Sequence, residues 1–371
     1  MRFGIEASPL RWETNGGIKR ICQDMLPELV KILGAEHDIE FIMDGEVPAG
    51  VCAGWDIHTI SGSRLHYLTR GVARLAAERS YDAVLVLSPF CTGVRAPVLQ
   101  LLYDLYPLKY PRILPLTYAA DREYWVMYTG AIIRALVARR CRTVIAISED
   151  TASDIRKLRL NHRTEVVIAH LGSSVSTRES QELISTEVAE LSTGRFLLYV
   201  GAFNVQKNVR QVVRAFETLS HRHPDLELVL VGQENWPQIH HFTSLVKKPK
   251  VHVLSGCSDS ELATLYGSCC CFLYLSRYEG FGLPVLEAMS CGAPVVVSTG
   301  GALPEVVGPA GYVVPPDRVA SIVEAVEAAL EPSTNAMLRA QSRRRSADFS
   351  WHTMADIIAT GLVDAANDPR R

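Results

Sequence analysis

The chain has 371 residues, a length that predicts two domains because a single hydrophobic core rarely grows beyond about 300 residues. Hydrophobic residues make up 48% of the chain and charged residues 21%, a composition that excludes an intrinsically disordered protein. The 38 basic and 40 acidic residues leave a net charge of −2, so no global basic surface for nucleic acid is expected.

Short β-branched runs recur along the chain with helical stretches between most of them, a pattern typical of parallel α/β sheets. The predicted strands of the first half are Phe3–Ala7, Ile39–Met43, Ala83–Leu87, Val98–Leu102, Val144–Ile147 and Val166–Ala169. Those of the second half are Phe196–Val200, Leu228–Val231, Val251–Leu254, Cys271–Leu275, Val295–Ser298 and Tyr312–Val314. Because the first strand begins so early, no secretory signal is expected before it.

A polar segment separates the two series of strands. Nine of the 21 residues from Ser173 to Thr193 are Ser or Thr. We therefore predict a Rossmann-like first domain at 1–175 and a second at 190–350, with a C-terminal amphipathic helix at 351–371 as a candidate to pack back on the first domain. Ligands of open α/β sheets bind beyond the carboxyl ends of the strands, so two facing sheets would place the site in the cleft between them.

The cysteines and the charge distribution bear on the compartment. The nine cysteines include no paired Cys-x-x-Cys spacing, which argues against zinc and favours a reducing cytoplasm. No uncharged apolar run reaches about 18 residues, so no transmembrane helix is predicted. Residues 131–170 carry eight Arg or Lys against four Asp or Glu. This excess marks either a solvated helix face or a peripheral contact with anionic lipid.

The most informative segment is Ser276–Met289, which follows a predicted strand and opens a helix. Pro284 suits the first helical turn, and Gly292 suits the left-handed position after the last turn. Gly280 and Gly282 allow the backbone to approach a ligand closely, and the helix start offers N–H groups to an anion. The segment therefore predicts a binding loop for a phosphorylated ligand.

Two carboxylates flank this predicted anion site. Glu279 precedes the helix and Glu287 lies about one turn inside it. Their presence is understandable if they accept hydrogen bonds from ribose and sugar hydroxyls. The segment, with its Glu-x7-Glu spacing and Gly-Phe-Gly-Leu-Pro core, resembles the donor-binding motif of retaining glycosyltransferases of family 4, which have the GT-B fold.

Other segments agree with this resemblance in order and spacing. Asn15–Ile18 resembles the family's glycine loop, and Tyr103–Leu108 resembles the segment written His-Asp-x-x-Pro in mannosyltransferase-like members. Tyr199–Gly201, followed by Gln206–Asn208, resembles its phosphate-binding turn. Three positions depart from the pattern. Tyr103 stands where many relatives have histidine. Gln206 stands where mannosyltransferase-like members usually have arginine, and Ala202 where other members place one. Arg277, Arg11 and Lys19 are candidate replacements for the missing cation.

The resemblance implies roles for individual residues. Lys207 would hold the donor diphosphate, Glu279 the sugar hydroxyls and Glu287 the ribose. The implied catalytic residues are Glu279, Lys207 and Asp104. The implied donor-binding residues are Gly16, Gly17, Lys207, Glu279, Gly280, Phe281, Gly282, Leu283 and Glu287.

The resemblance also implies a reaction. We expect an α/β protein of the GT-B class that moves a hexose, with mannose favoured, from a nucleotide-diphosphate sugar to a sugar or lipid-linked glycan, in polysaccharide or O-antigen-type assembly. No metal and no cofactor are expected, and the location would be cytoplasmic, with a peripheral membrane contact left open. The alternatives are a catalytically weak sugar-nucleotide-binding subunit of another transferase, or rhamnosyl or glucosyl transfer from a dTDP- or UDP-sugar.

Overall fold

A computed structural model of the protein describes residues 1–11, 17–45, 54–88, 91–109, 122–158, 164–175, 184–232 and 249–368. The chain divides into two compact units. Unit 1 comprises Met1–Gly172 together with Ser350–Arg371, and unit 2 comprises Ser173–Phe349.

Each unit is built on one parallel sheet. The strands of unit 1 are β1 Arg2–Glu6, β2 Asp38–Met43, β3 Asp56–Thr59, β4 Ala83–Val86, β5 Val98–Leu102, β6 Thr143–Ala146 and β7 Glu165–Ile168. Those of unit 2 are β8 Arg195–Val200, β9 Leu226–Val231, β10 Val251–Leu254, β11 Cys271–Tyr274, β12 Val295–Ser298 and β13 Gly311–Val314. The strand orders are β3-β2-β1-β4-β5-β6-β7 and β10-β9-β8-β11-β12-β13. Both are Rossmann-like, and the predicted fold class is confirmed at this level.

Helices connect most of the strands. In unit 1 they are α1 Gly17–Leu33, α2 Arg64–His66, α3 Val72–Arg79, α4 Tyr106–Lys109, α5 Arg122–Ala138 and α6 Glu149–Arg156. In unit 2 they are α7 Thr186–Ser192, α8 Val209–Arg222, α9 Asp259–Ser268, α10 Leu283–Ser290, α11 Leu303–Val307, α12 Val319–Leu330 and α13 Pro332–Ser346. The last helix, α14 Trp351–Asn367, belongs to unit 1.

The central strands are buried on both faces, as parallel strands covered by helices must be. Every residue of β4, β11 and β12 is buried. All the predicted strands are present, with ends that differ by at most two residues. The sequence patterns missed β3, because this edge strand is half-exposed and lacks an apolar run.

The chain returns to unit 1 through α14, which packs against α1 and against β4, β5 and β6. Its buried face includes Ile358 and Leu362. Arg142 and Asp368 form an ion pair at 2.6 Å near the helix end. Gly172, where the chain leaves the unit, lies so close to Trp351 that a β-carbon there would stand 2.7 Å from the indole. The segment that leaves unit 1 at Gly172 and the segment that returns to it at Trp351 are therefore packed against each other.

Among the helices that the structure describes, none combines the length and the apolar composition needed to span a membrane.

A buried carboxylate on β2 makes the stability of unit 1 dependent on pH. Glu40 accepts from Arg79 Nε at 2.8 Å and from Tyr81 at 2.8 Å, and it lies 3.0 Å from His58 and 3.4 Å from Arg2. The hydrogen bond from Arg79 is the main cause that lowers the pKa of Glu40 to about 2, against an ordinary 4.5. A lowered pKa stabilises the fold at pH values above 4.5, and the stabilisation disappears as the pH falls toward 2.

We therefore expect Glu40→Gln to lower the free energy of unfolding by about 2–3 kcal/mol at pH 7 and to flatten its pH dependence between 4.5 and 2. Urea titrations at pH 7 measure the first effect, and urea titrations between pH 4.5 and 2 measure the second. Glu78→Gln is the matched control, because Glu78 pairs with Arg74 at 2.7 Å on the exposed surface. Equal pH profiles for wild type and Glu40→Gln would contradict the prediction.

Candidate functional site

In unit 2, strand order brings two loops together. The order of the sheet reverses between β8 and β11, which are hydrogen-bonded neighbours. Loops at the carboxyl ends of two such strands diverge and leave a crevice that binds ligands. The loop after β8 carries Lys207, and the loop after β11 carries Glu279. Two residues 72 positions apart in sequence are thereby placed side by side.

Lys207 forms the centre of the charged cluster in this crevice. Its Nζ donates to Oε1 of Glu279 at 2.7 Å and to the hydroxyl of Tyr274 at 2.9 Å. The side chains of Lys207 and Glu279 are 19% and 11% exposed, so the pair is largely withdrawn from water. A partly buried ammonium is suited to bind a diphosphate as a point charge.

The turn before Lys207 is fixed by amide side chains. Asn204 accepts from the backbone N–H of Lys207 at 2.8 Å. Asn208 adopts a left-handed conformation at the start of α8, with φ at +56°, and donates to the carbonyls of Leu275 and Pro316 at 3.1 and 2.8 Å. These bonds hold the start of α8 against the ends of β11 and β13.

Gln206 holds the two loops to each other. Its Nε2 donates to the carbonyl of Tyr278 at 3.0 Å, and its own carbonyl accepts from the N–H of Arg277 at 2.8 Å. The residue that stands in place of the family's arginine therefore acts as a structural link.

The candidate replacements for that arginine are mostly paired elsewhere. Arg277 forms a two-pronged pair with Asp317 at 2.7 and 3.1 Å. Arg11, in unit 1, pairs with Asp44 at 2.9 Å. Within the described residues, Lys207 is thus the cation that contacts the carboxylate of Glu279.

The helix after Glu279 begins and ends as the sequence predicts. Gly282 precedes α10 with φ at +104°, and Pro284 lies in the first turn. Gly292 follows the helix with φ at +80°. Phe281 is buried and packs edge-on against Phe349, with ring centroids 5.8 Å apart.

The remaining motif residues lie in the loop and the helix that the sequence predicts after β11. Gly280 is partly buried in the loop, and Leu283, the first residue of α10, is buried. Glu287 lies inside α10, is only 4% exposed, and accepts from the hydroxyl of Tyr266 at 3.3 Å.

These contacts explain how two carboxylates coexist beside a predicted anion site. Lys207 forms an ion pair with Glu279, and Glu287 accepts a hydrogen bond from the hydroxyl of Tyr266. Without such partners, burying either charge would cost several kcal/mol. The net charge of the Lys207–Glu279 pair is zero, so a phosphate meets no uncompensated negative charge from it.

Sequence reasoning missed two glycines behind the loop. A β-carbon on Gly301, whose φ is +66°, would collide with the backbone of Glu279, and one on Gly300 would collide with Ser276. The N–H of Ala302 donates to the carbonyl of Glu279 at 3.0 Å. Thr299-Gly300-Gly301 directly after a buried strand was the available signal, since glycine at that place permits close backbone approach.

Four residues that the sequence singled out belong to unit 1, namely Gly16, Gly17, Tyr103 and Asp104. Gly16 lies outside the described residues, whereas Gly17 is exposed at the first position of α1. Asp104 is partly exposed, accepts from the N–H of Tyr106 at 3.4 Å and lies 3.8 Å from the guanidinium of Arg134. Tyr103 is buried and donates to the carbonyl of Leu87 at 3.0 Å, so its hydroxyl serves the packing of the sheet.

A further residue that the sequence patterns missed, Glu6, organises the carboxyl edge of the sheet of unit 1. It is fully buried at the end of β1, where the strand order reverses toward β4. Its carboxylate accepts from the N–H groups of Ser8 and Ser88 at 3.1 and 2.7 Å, and from the hydroxyl of Tyr67 at 3.0 Å. Glu6 therefore joins the segments that follow two neighbouring strands.

One group in the described residues has the side-chain types of a metal site, namely Glu40, Asp56 and His58. It lies on β2 and β3 of unit 1. The guanidinium of Arg79 already occupies the carboxylate of Glu40, and a cation there would repel a metal ion. We do not assign a metal to it.

The comparisons with known proteins agree with this geometry. Residues 180–345 match the family model described as "Glycosyl transferases group 1". The chain is 30% identical over 221 residues to the O-antigen chain mannosyltransferase B of Escherichia coli, a stretch that covers 57% of each protein. It is 32% identical over 229 residues to the MMP alpha-(1->4)-mannosyltransferase of Mycolicibacterium hassiacum, covering 59% of this chain and 53% of that relative. The chain thus spans a little over half the length of these curated relatives.

A solved structure shares the fold. HepE of Anabaena, crystallised with UDP-glucose, superposes with a TM-score of 0.73 at 15% identity, covering 98% of this chain and 100% of that chain. The resemblance to mannosyltransferase-like glycosyltransferases is confirmed.

Proposed function

We propose, on the premise that residues 180–345 form a group 1 glycosyl transferase domain, that the protein is a retaining hexosyltransferase. The donor is a nucleotide-diphosphate sugar, with GDP-mannose favoured, and the acceptor is a sugar or a lipid-linked glycan. The similarity to two mannosyltransferases, one of them of the O-antigen chain, supports mannose and polysaccharide assembly.

The observation that carries the proposal is the pairing of Lys207 with Glu279 where the sheet order reverses. A cation for a diphosphate and a carboxylate for sugar hydroxyls stand 2.7 Å apart, beside the start of α10. A sugar diphosphate presents these two kinds of group next to each other. Glu287, further along α10, is the proposed partner of the ribose hydroxyls.

The proposed transfer forms a bond between the acceptor oxygen and the anomeric carbon of the donor sugar. The bond from that carbon to the diphosphate breaks, and its electron pair leaves with the diphosphate. The acceptor's proton passes to the leaving diphosphate on the same face of the sugar, which retains the anomeric configuration. Lys207 stabilises the charge that develops on the diphosphate, and neither a metal nor a cofactor is required in this scheme.

A cytoplasmic location with a peripheral membrane contact is part of the proposal. Helix α5 supports this contact, because Ile132 and Leu136 are 37% and 52% exposed, and Arg139 and Arg140 follow on the exposed surface. Apolar side chains beside exposed cations suit an anionic lipid surface.

The test is the release of nucleoside diphosphate from GDP-mannose, UDP-glucose and dTDP-rhamnose by the purified protein, with and without a lipid-linked acceptor. We expect GDP-mannose to give the highest kcat/KM and an α-linked product by NMR. Glu279→Gln should lower that kcat/KM roughly 100-fold, because the amide cannot pair with Lys207 or accept as strongly from the sugar.

Glu227→Gln is the matched control. Glu227 lies in the same unit, on β9 and outside the loop of Glu279, and its carboxylate hydrogen-bonds His252 at 2.8 Å. Its activity should stay within about twofold of wild type, because a single contact between half-exposed side chains contributes little. The alternative, a sugar-nucleotide-binding subunit, predicts donor binding without release of nucleoside diphosphate. That outcome for every donor would overturn the enzymatic proposal.

A further inference from the structure

A row of four buried aromatic rings runs through unit 2 beneath the candidate site. Tyr199 on β8 stacks on Tyr274 of β11, with centroids 6.0 Å apart and planes at 17°. Tyr274 stacks on Phe272 at 5.9 Å and 18°, and Phe272 meets Tyr266 of α9 edge-on at 5.4 Å. Each ring is at most 1% exposed. Residues 272 and 274 share one face of their strand, which lets their rings stack.

Two hydroxyls of this row contact two of the three charged residues assigned to the donor, Lys207 and Glu287. The hydroxyl of Tyr274 accepts from Nζ of Lys207 at 2.9 Å. The hydroxyl of Tyr266 donates to Oε2 of Glu287 at 3.3 Å. Both tyrosine rings are buried and packed against neighbouring rings. Their hydroxyls are therefore fixed in position and can orient the ends of the side chains of Lys207 and Glu287.

The chemistry of each contact fits its partner. Burial and the neighbouring carboxylate of Glu279 raise the pKa of Tyr274 well above its ordinary value, so it stays a neutral phenol that can accept from an ammonium group. A carboxylate can accept about four hydrogen bonds, so the bond from Tyr266 to Oε2 orients Glu287 without using that whole capacity.

We propose that Tyr274 and Tyr266 are positioning residues, which set Lys207 for the diphosphate and Glu287 for the ribose of the donor. This inference rests on the proposed function, which assigns those two ligand groups. A lysine side chain loses rotamer entropy when it binds a ligand, and a fixed acceptor removes part of that cost before the donor binds. The row thereby supports both halves of the nucleotide subsite, each through its own tyrosine hydroxyl.

Calorimetric titration with GDP, GMP and 2′,3′-dideoxy-GDP tests the two roles separately. We expect Tyr274→Phe to weaken GDP binding about tenfold and to reduce the preference for GDP over GMP, because the missing phosphate is the one Lys207 would hold. We expect Tyr266→Phe to weaken GDP binding by a similar factor and to reduce the preference for GDP over its dideoxy form.

Double variants show whether each tyrosine acts through its partner. Tyr274→Phe should cause no further loss in a Lys207→Met background, and Tyr266→Phe none in a Glu287→Gln background. The crossed combinations should multiply their separate effects. A merely structural loss would lower binding of all three ligands equally and would persist in every background.

Tyr81→Phe is the control for the loss of a buried tyrosine–glutamate bond, because Tyr81 donates to Glu40 at 2.8 Å in unit 1. It should leave all three dissociation constants unchanged. If wild type binds GDP but both variants bind it equally well, or lose all three ligands equally, the positioning inference is overturned and the proposed function stands. Wild type is also titrated with UDP and dTDP, and if it binds none of the three nucleoside diphosphates, the proposed function and this inference both fail.

Discussion

Replacement of Lys207 by methionine is expected to lower kcat/KM for the sugar nucleotide roughly 100- to 1,000-fold. Lys207 is the cation that contacts the motif carboxylate, and a charge aimed at a leaving group acts most strongly where water is excluded. The variant also removes the ion-pair partner of the Glu279 carboxylate, whose side chain is only 11% exposed. Because an unpaired buried charge is costly, the free energy of unfolding should fall by about 3 kcal/mol.

Steady-state kinetics and urea unfolding separate the two effects. Lys31→Met is the matched control, since Lys31 pairs with Glu28 on the surface, with a side chain 69% exposed. It should change neither quantity appreciably. Adding Glu279→Gln to Lys207→Met should restore most of the stability and none of the activity. A double variant as unstable as the single one would show that the buried charge is not the cause.

Gly301→Ala is expected to reduce kcat/KM about 100-fold or more without removing any charged group. The new methyl group would collide with the backbone of Glu279, whose carbonyl also accepts from Ala302. The loop must shift, and a displacement of about 1 Å at reacting groups can cost a factor of about 100. The left-handed φ of +66° adds about 1 kcal/mol of strain for alanine.

Gly256→Ala separates strain from displacement. Gly256 also has a left-handed φ, +75°, but a β-carbon there would meet nothing within 4 Å. It should lose about 1 kcal/mol of stability and keep its activity. Equal kinetic losses in the two variants would mean that backbone strain alone, and not movement of the Glu279 loop, controls activity.

Local sequence patterns predicted the strands and the bounds of the motif helix. Pro284 and Gly292 are informative in isolation, because each constrains the backbone at its own position. The edge strand Asp56–Thr59 escaped prediction since its side chains are half-exposed and its neighbours on the sheet supply its stability. A periodic pattern of apolar residues indicates burial, and none of the four residues of this strand is fully buried.

The contacts between the residues of the site could not be predicted from local sequence patterns. Lys207 and Glu279 meet because β8 and β11 are adjacent, and strand order depends on the topology of the whole sheet. The same holds for Gly301 against Glu279 and for the tyrosine hydroxyls. Resemblance supplied candidate roles for several residues, whereas the structure shows that Gln206 and Tyr103 are engaged in backbone hydrogen bonds.

The return of the chain to unit 1 has a consequence for biosynthesis. Unit 2 is continuous in sequence, so it can fold as soon as it has been made, whereas unit 1 waits for α14, which covers β4, β5 and β6. Domains usually complete themselves from the N-terminus onward during synthesis. Here the unit that emerges first is finished last, and until then its apolar sheet face, against which Ile358 and Leu362 will pack, stands open to chaperones.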